Sequence, residues 1–268
     1  MNPNEIKEVH QAYLNREGKT RRRVLLTQVL LLIACLGLWE ILSRANLINA
    51  LIFSYPSKIA ALFWAELSDG SLLPHVGITV WETVIGFLLG TLLGTLLATL
   101  IWWSPFLSRV LEPYLVVANS MPKVALGPVF IVCFGPGLLS VIAMGVAISV
   151  IITTINIYAS FREVNPQYIK VVQTLGGNKR QIFRLVILPA TIPTILATLK
   201  VNVGLSWVGV IVGEFLVSQS GLGYLIIYGF QVFNFTLVMA SLAIIAVVAT
   251  VMYQGVAFLE RRLTSQFK

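Results

Sequence analysis

The run Gly18-Lys19-Thr20 is the first place where residue types and spacing point to chemistry, because such a run ends the loops that cradle phosphate groups. That loop also needs a glycine five positions before Gly18 and a preceding strand. Tyr13 stands at that position, and no strand is predicted there. The chain also has no Ser/His/Asp set, no H-E-x-x-H run and no cluster of paired carboxylates. We therefore expect no catalytic residue and no cofactor bound by this chain.

Histidine and cysteine give no sign of a metal site. His10 and His75 stand apart, and we interpret each as an ordinary surface or interface residue. Cys35 and Cys133 each lie inside an apolar run, which favours a small packing side chain over a disulfide framework.

Ionisable side chains within apolar stretches are a second place for chemistry, since charge near the bilayer centre costs about 2.5–3.5 kcal/mol on insertion scales. The candidates are Glu40, Glu82, Glu112, Lys123, Lys200 and Glu214. Glu40 and Glu112 can reach an interface. Lys123 lies beside Pro122, where interrupted backbone and charge can line a cavity, and Glu214 precedes a polar loop. We predict that Lys123 and Glu214 face a translocation pathway or gate; the alternative is that they pair with polar groups for structure alone.

The segment around residues 161–190 carries the most informative pattern. Asn165 is a good N-cap and Pro166 suits the first helical position, so a helix is predicted over Pro166–Leu175. Its apolar residues recur at i, i+3, i+4 and i+7: Tyr168, Val171, Val172 and Leu175. Its other face is polar: Gln167, Lys170, Gln173 and Thr174.

Gly176-Gly177 ends that predicted helix, because glycine readily adopts the left-handed cap. Asn178 can then cap a second, basic helix that enters the membrane near Leu188-Pro189. Such an amphipathic helix–Gly–helix can lie on anionic lipid or fill a groove on a soluble partner. The residues alone leave these two interpretations open.

The elements that position these residues are membrane helices. Hydrophobic residues make up 57% of the 268 residues and charged residues 11%, well below the roughly 25% typical of soluble domains. Residues 1–23 form a polar amino-terminal arm, and residues 24–268 form one transmembrane domain. Six spans are predicted: Val24–Ser43, Ile78–Trp103, Val110–Phe134, Leu138–Ser160, Thr191–Leu216 and Leu237–Leu259.

The distribution of basic residues predicts the orientation. With both termini in the cytoplasm, fifteen Lys and Arg residues fall in cytoplasmic segments, and only Arg44 and Lys58 fall in outer loops. The net charge of +8 thus reflects the positive-inside rule, and no nucleic-acid partner is expected. In the second span Gly86, Gly90 and Gly94 repeat every fourth residue, forming a smooth ridge for close helix packing, within the chain or between two copies.

The segment resembles the signature loop of ABC importer permeases: Glu-Ala-Ala, three residues, Gly, nine residues, Ile, one residue, Leu-Pro. Gly176, Leu188 and Pro189 match at the family's spacing, and Val186 replaces the isoleucine. The acidic triplet is replaced by Lys170-Val171-Val172. The resemblance extends from about Pro56 to the sixth span, and is closest to the nitrate/sulfonate/taurine branch. Its further matches are Gly86-Phe87, Met121-Pro122, Gly127-Pro128, Phe134-Gly135, Gly213-Glu214 and Ser220-Gly221-Leu222-Gly223-Tyr224.

The resemblance implies an all-α fold of the type I ABC importer kind in a bacterial-type inner membrane. It implies two copies of the chain, each docking its Gly176 loop into a cytoplasmic ATPase that holds ATP and Mg²⁺. It also implies a solute-binding protein on the outer face, and a sulfonate-, taurine- or nitrate-like anion as substrate, although related permeases carry vitamin precursors. The rival functions are an ion-gradient-driven secondary transporter and a membrane docking protein that transports nothing.

Overall fold

The computed structural model describes residues 3–264 and consists of helices and short connections, with no strand in that range. Residues 1, 2 and 265–268 lie outside it, including Lys268 of the predicted cytoplasmic charges. Twelve α-helices follow one another: α1 (Pro3–Arg44), α2 (Ala50–Phe53), α3 (Pro56–Ser68), α4 (Leu72–Trp103), α5 (Pro105–Ser120), α6 (Gly127–Phe134), α7 (Leu138–Glu163), α8 (Pro166–Thr174), α9 (Lys179–Ile182), α10 (Leu188–Val217), α11 (Leu222–Gln231) and α12 (Phe235–Thr264).

Five helical stretches are long and apolar enough to cross a membrane: Arg16–Arg44, Leu72–Trp103, Leu138–Glu163, Lys179–Val217 and Phe235–Arg262. The sixth predicted span, Val110–Phe134, is not one straight helix. It consists of α5 followed by a 3₁₀ turn and α6, bent by 97°. Pro122 explains the break, because it lacks an N–H for the helix ladder and holds Met121 in an extended conformation. The six-span prediction is confirmed if this bent pair counts as one span.

The inner core consists of α4, α7 and α10, which pack closely through glycines. A Cβ added to Gly86 would lie 3.5 Å from the Cα of Gly145 on α7, and one added to Gly209 on α10 would lie 2.6 Å from that same atom. Lipid tails are as apolar as leucine, so helices in a membrane associate by close packing and hydrogen bonds. Backbone contact at these glycines supplies the close packing.

The glycine ridge predicted in the second span continues along this interface. Gly90 faces Ser149 and Gly94 faces Thr153, both on α7, where an added Cβ would lie 2.5 Å from the Cβ of each neighbour. The structure thus places all three predicted ridge glycines at a packing surface within the chain.

Buried polar side chains link the same three helices. Asn202 of α10 donates to the hydroxyls of Thr91 on α4 (2.8 Å) and Thr153 on α7 (2.7 Å). Ser149 and Ser206 share a hydrogen bond of 2.9 Å. Because hydrocarbon offers no alternative partner, such bonds help to hold the helices together.

The first helix lies at the edge of this core. α1 runs without interruption through positions 23 and 24, where the sequence predicted the arm to meet the first span. The apolar stretch of Arg16–Arg44 has no buried residue in its most apolar window, and the main contacts of α1 are with α2 and α3. Its sides are therefore open to lipid or to another subunit.

The glycine contact yields a stability prediction. Gly209→Ala should lower the free energy of unfolding by about 1–3 kcal/mol, because the new methyl group meets backbone that cannot give way. Gly204→Ala on the same helix is the matched control, since nothing lies within 4 Å of its added Cβ. Thermal unfolding of both purified variants in detergent measures the difference. Equal midpoints for the two variants would contradict the packing described here.

Candidate functional site

The candidate site begins with α8, which lies between two membrane helices. The side chain of Asn165 accepts from the N–H of Gln167 at 2.9 Å, and Pro166 occupies the first turn, as the sequence predicted. The helix ends at Thr174, one residue earlier than predicted. Gly176 adopts φ +78°, and the N–H of Gly177 donates to the carbonyl of Val172 at 2.8 Å, which closes the turn.

The apolar residues of α8 divide between two directions. Tyr168, Val171 and Leu175 are 63, 56 and 82% exposed and form what we call the outer stripe. Val172, predicted to belong to the same stripe, instead packs inward with Ile169, which sequence reasoning missed. The 3.6-residue periodicity cannot distinguish apolar residues that pack on the core from apolar residues that are exposed. It therefore grouped both kinds on one face of the helix.

The polar side of α8 carries Lys170, the residue that stands where the resembled family has glutamate. Lys170 is exposed, and its side chain makes no ion pair or hydrogen bond within residues 3–264. The loop therefore offers an unpaired positive charge beside the outer stripe.

The rest of the loop is fastened to the core. Asn178 and Gln181 form a reciprocal capping box at the start of α9, with bonds of 2.8 and 2.9 Å. Lys179 donates to the carbonyl of Trp103 at 2.6 Å, at the carboxyl end of α4, where a cation is favoured. The segment Phe183–Ile187 is a π-helical turn that leads into Leu188 and Pro189.

An aromatic cluster anchors that turn. The ring of Phe183 lies 5.1 Å from Trp102, 5.8 Å from Trp103 and 5.6 Å from Phe161, centroid to centroid. Val186, at the position of the family isoleucine, packs on the same cluster. The loop is thus joined to α4, α7 and α10 by packed side chains, while its outer stripe is free.

Glu214, the predicted gate residue, lies at the opposite end of the core and is 1% exposed. Its carboxylate accepts from the hydroxyl of Thr79 at 2.6 Å and from the N–H of Gly223 at 2.5 Å. Thr79 in turn accepts from the N–H of Leu222 at 2.8 Å. Glu214 therefore caps the amino end of α11, where a negative charge is favoured.

Three further residues complete this cap, and sequence reasoning gave none of them a role. Gly221 has φ +110°, and a Cβ there would overlap the carboxyl group of Glu214. Nδ1 of His75 accepts from the N–H of Gly221 at 3.0 Å, and the His75 ring stacks on Tyr224. Glu82 is buried beside Glu214, and its Oε2 atom has no hydrogen-bond partner in the described part of the chain. The Gly-Leu-Gly spacing was the only sequence signal for this arrangement.

Lys123 lies at the break between α5 and α6. It is partly exposed, and its ammonium group donates to the carbonyl of Asn119 at 2.9 Å, near the carboxyl end of α5. Lys123 and Glu214 do not contact each other. Each satisfies backbone at the end of a short helix, and their predicted place on the pathway stays a prediction.

The other ionisable candidates are paired. Glu40 bonds Arg44 at 2.6 Å and the N–H of Ser57 at 3.0 Å. The remaining pairs are Glu112–Arg162 at 3.2 Å and Lys200–Glu260 at 2.8 Å. Within the described part of the chain, no group of His, Cys, Asp or Glu side chains is arranged to hold a metal ion.

Comparisons with known proteins point in one direction. The sequence profile of the family described as binding-protein-dependent transport system inner membrane component matches residues 90–265. The putative aliphatic sulfonates transport permease protein of Bacillus subtilis is 31% identical, over 85% of this chain and 83% of its own length. The riboflavin transport system permease protein of Chloroflexus aurantiacus is 34% identical, over 80% of each. A bacterial ABC transporter involved in alginate import has the same fold, with TM-score 0.63 and 17% identity over 93% of this chain and 99% of that one.

The cap on α11 yields a prediction about local stability. Glu214→Ala should destabilise the start of α11 by about 1–2 kcal/mol, because the N–H of Gly223 and the hydroxyl of Thr79 lose their acceptor. Hydrogen exchange at residues 222–224 should then be about tenfold faster. Glu112→Ala, which removes an exposed ion pair, is the control and should leave that exchange unchanged. The same exchange rate in the Glu214→Ala variant and the native chain would overturn the capping role.

Proposed function

We propose, because this chain belongs to the binding-protein-dependent transport system inner membrane components, that a cytoplasmic ATPase drives it through the outer stripe of α8. The chain is a multi-pass inner-membrane permease subunit of an ABC importer, and its family consists of transport permeases, not enzymes. Family membership favours an ABC importer over an ion-gradient-driven secondary transporter and over a membrane docking protein that transports nothing. The coupling mechanism is our proposal.

One observation carries the coupling proposal: α8 has one anchored edge and one free edge. Ile169 and Val172 pack on the core, whereas Tyr168, Val171 and Leu175 are exposed without a partner. An amphipathic helix that presents a short apolar stripe suits a groove on a soluble protein. α8 follows α7 in the chain and leads through α9 into α10. Force applied to the outer stripe therefore reaches both membrane helices, α7 and α10.

The proposed orientation follows from charge. The side of the membrane that carries α8 also carries Lys170, Lys179 and Arg180, so we place it in the cytoplasm together with both termini. The ATPase would hold ATP and Mg²⁺ on that side, and a solute-binding protein would deliver cargo on the other side. A second copy of this chain would complete the pathway, and the sides of α1 and α5 have apolar surface available for it.

The cargo is proposed to be a small polar organic solute. The nitrate/sulfonate/taurine resemblance favours an anion, and the relative from Bacillus subtilis is named for sulfonates. The relative from Chloroflexus aurantiacus, at 34% identity, is named for riboflavin, which is a larger solute with many hydrogen-bonding groups. The relatives therefore support import of a small organic molecule by a fold that serves different cargo chemistries.

The coupling proposal is tested by two substitutions in the loop. Leu175→Asp should weaken ATPase association by roughly 10- to 100-fold, because a carboxylate would be buried in an apolar groove. Gly176→Val should act similarly, because a β-branched residue is strained at φ +78° and reshapes the end of α8. Co-purification of the ATPase with each variant from membranes measures the effect.

Gln173→Asp is the matched control, because it adds the same charge to the polar side of the same exposed helix. It should retain ATPase, and all three variants should insert in the membrane at native levels. Native amounts of ATPase with both Leu175→Asp and Gly176→Val would refute coupling through this loop.

A further inference from the structure

A polar groove runs between α7 and α10. It lies near the carboxyl end of α7 and the amino end of α10, which are the ends closer to α8. It is an open groove of about 350 Å³, lined on one side by Asn156, Ser160 and Glu163 and on the other by Thr194 and Thr198. We call it the α7–α10 groove. Its remaining lining residues are small or apolar: Ala159, Ala197 and Val201.

The two polar rows follow from helical spacing. Asn156, Ser160 and Glu163 stand at i, i+4 and i+7 on α7, so they share one face. Thr194 and Thr198 stand at i and i+4 on α10. Asn156 lies seven residues before the end of α7, or about 10 Å along the helix, so the groove extends from the membrane surface into the bilayer.

Several polar groups in the groove still have hydrogen-bonding capacity. The hydroxyls of Ser160 and Thr198 donate to the carbonyls of Ile157 and Thr194, at 2.8 Å each, which leaves their oxygen lone pairs free to accept. The side chains of Asn156 and Glu163 have no hydrogen bond or ion pair within residues 3–264. Hydrocarbon cannot satisfy such groups, so this surface faces water, a polar ligand or polar groups of another subunit.

Charge in the groove has one sign. Glu163 is the only charged residue among the described residues that line it, and it stands at the membrane-surface end. The uncharged groups both donate and accept: the amide of Asn156 and the hydroxyl of Thr194 can do either, and the oxygens of Ser160 and Thr198 can accept. The negative charge therefore favours a polar ligand that is not itself an anion.

The cleft on the other side of α7 is the competing location for an anion. It contains Arg109 and Arg162 next to Tyr158, but Arg162 already pairs with Glu112 at 3.2 Å. That ion pair joins α5 to α7 across the cleft and adds the Glu112 carboxylate to the charges that an anion would meet there. The α7–α10 groove has no such pair closing it.

We infer that the α7–α10 groove is a solute-binding stretch of the translocation pathway, for a polar solute that is neutral or positively charged. This inference rests on the proposed import function and narrows its cargo away from the sulfonate-like anion favoured by the resemblance. Asn156 and the three hydroxyl groups contact the solute, and Glu163 draws it toward the cytoplasmic exit.

Cysteine accessibility tests the inference without requiring transport. Asn156→Cys is made in the full-length chain with Cys35→Ser and Cys133→Ser, in inside-out membrane vesicles that contain the partner subunits. Its labelling is timed with two water-soluble methanethiosulfonates, one carrying a trimethylammonium group and one a sulfonate. Each rate is normalised to the reaction of that reagent with a small free thiol. Val251→Cys on α12, an apolar position that is 63% exposed, is the lipid-facing control.

The cationic reagent should label Asn156→Cys about tenfold faster, or more, than the anionic reagent does, since a cleft of one charge sign concentrates the opposite ion. The cationic reagent should also label Asn156→Cys about tenfold faster, or more, than it labels Val251→Cys. Adding Glu163→Gln should bring the two reagents close to equal rates. Labelling as slow as at Val251, including the case in which Asn156→Cys cross-links to a second copy, would refute a solute-facing groove. A faster anionic reagent, or a ratio unchanged by Glu163→Gln, would refute the charge preference.

These outcomes are separable from failure of the proposed function. Labelling depends only on water and charge in the groove, whereas the Leu175→Asp experiment depends only on ATPase association. Charge-selective labelling together with unaltered ATPase association in both Leu175→Asp and Gly176→Val would support the groove and overturn the coupling proposal.

Discussion

Backbone amides and carbonyls inside a bilayer have no water to bond, and this constraint governs how the chain can depart from straight helices. It breaks its helices near Pro122 and near Gly221, and at each place a charged side chain satisfies the exposed backbone. Lys123 donates to a carbonyl at the end of α5, and Glu214 accepts from the N–H of Gly223 in the first turn of α11. Both side chains thus satisfy backbone groups at a helix break, whatever else they do.

The same constraint explains how the core and the loop cooperate. α7 packs between α4 and α10 through glycines and hydroxyls, so the three helices behave as one packed unit. α8 continues that unit outside the membrane and is held to it by Ile169, Val172 and the aromatic rings around Phe183. A rigid core with one firmly attached external helix is what a transporter needs if an external protein is to move it.

Much of the fold could be predicted from composition and periodicity, because span length and apolar character are strong signals. The caps at Asn165 and Gly176 were likewise readable, since each depends on one residue and its immediate neighbours. The contacts of Glu214 with Thr79 could not be predicted, because they join residues 135 positions apart whose alignment depends on helix packing. The division of the apolar residues of α8 could not be predicted for the same reason, since Val172 faces inward only because the core lies on its side of α8.

The meeting of Gly86, Gly145 and Gly209 at one level has a mechanical consequence. Three helix backbones approach one another closely there, so a motion that keeps these contacts tilts α7 about this level. Gly145 lies 18 residues before the end of α7, a lever arm of about 27 Å, so a tilt of about 5° moves the α8 end by about 2 Å. A larger side chain at any one of the three glycine positions would change the angle at which the helices rest against one another. In diverging sequences, the sizes of the residues at these three positions should therefore change together.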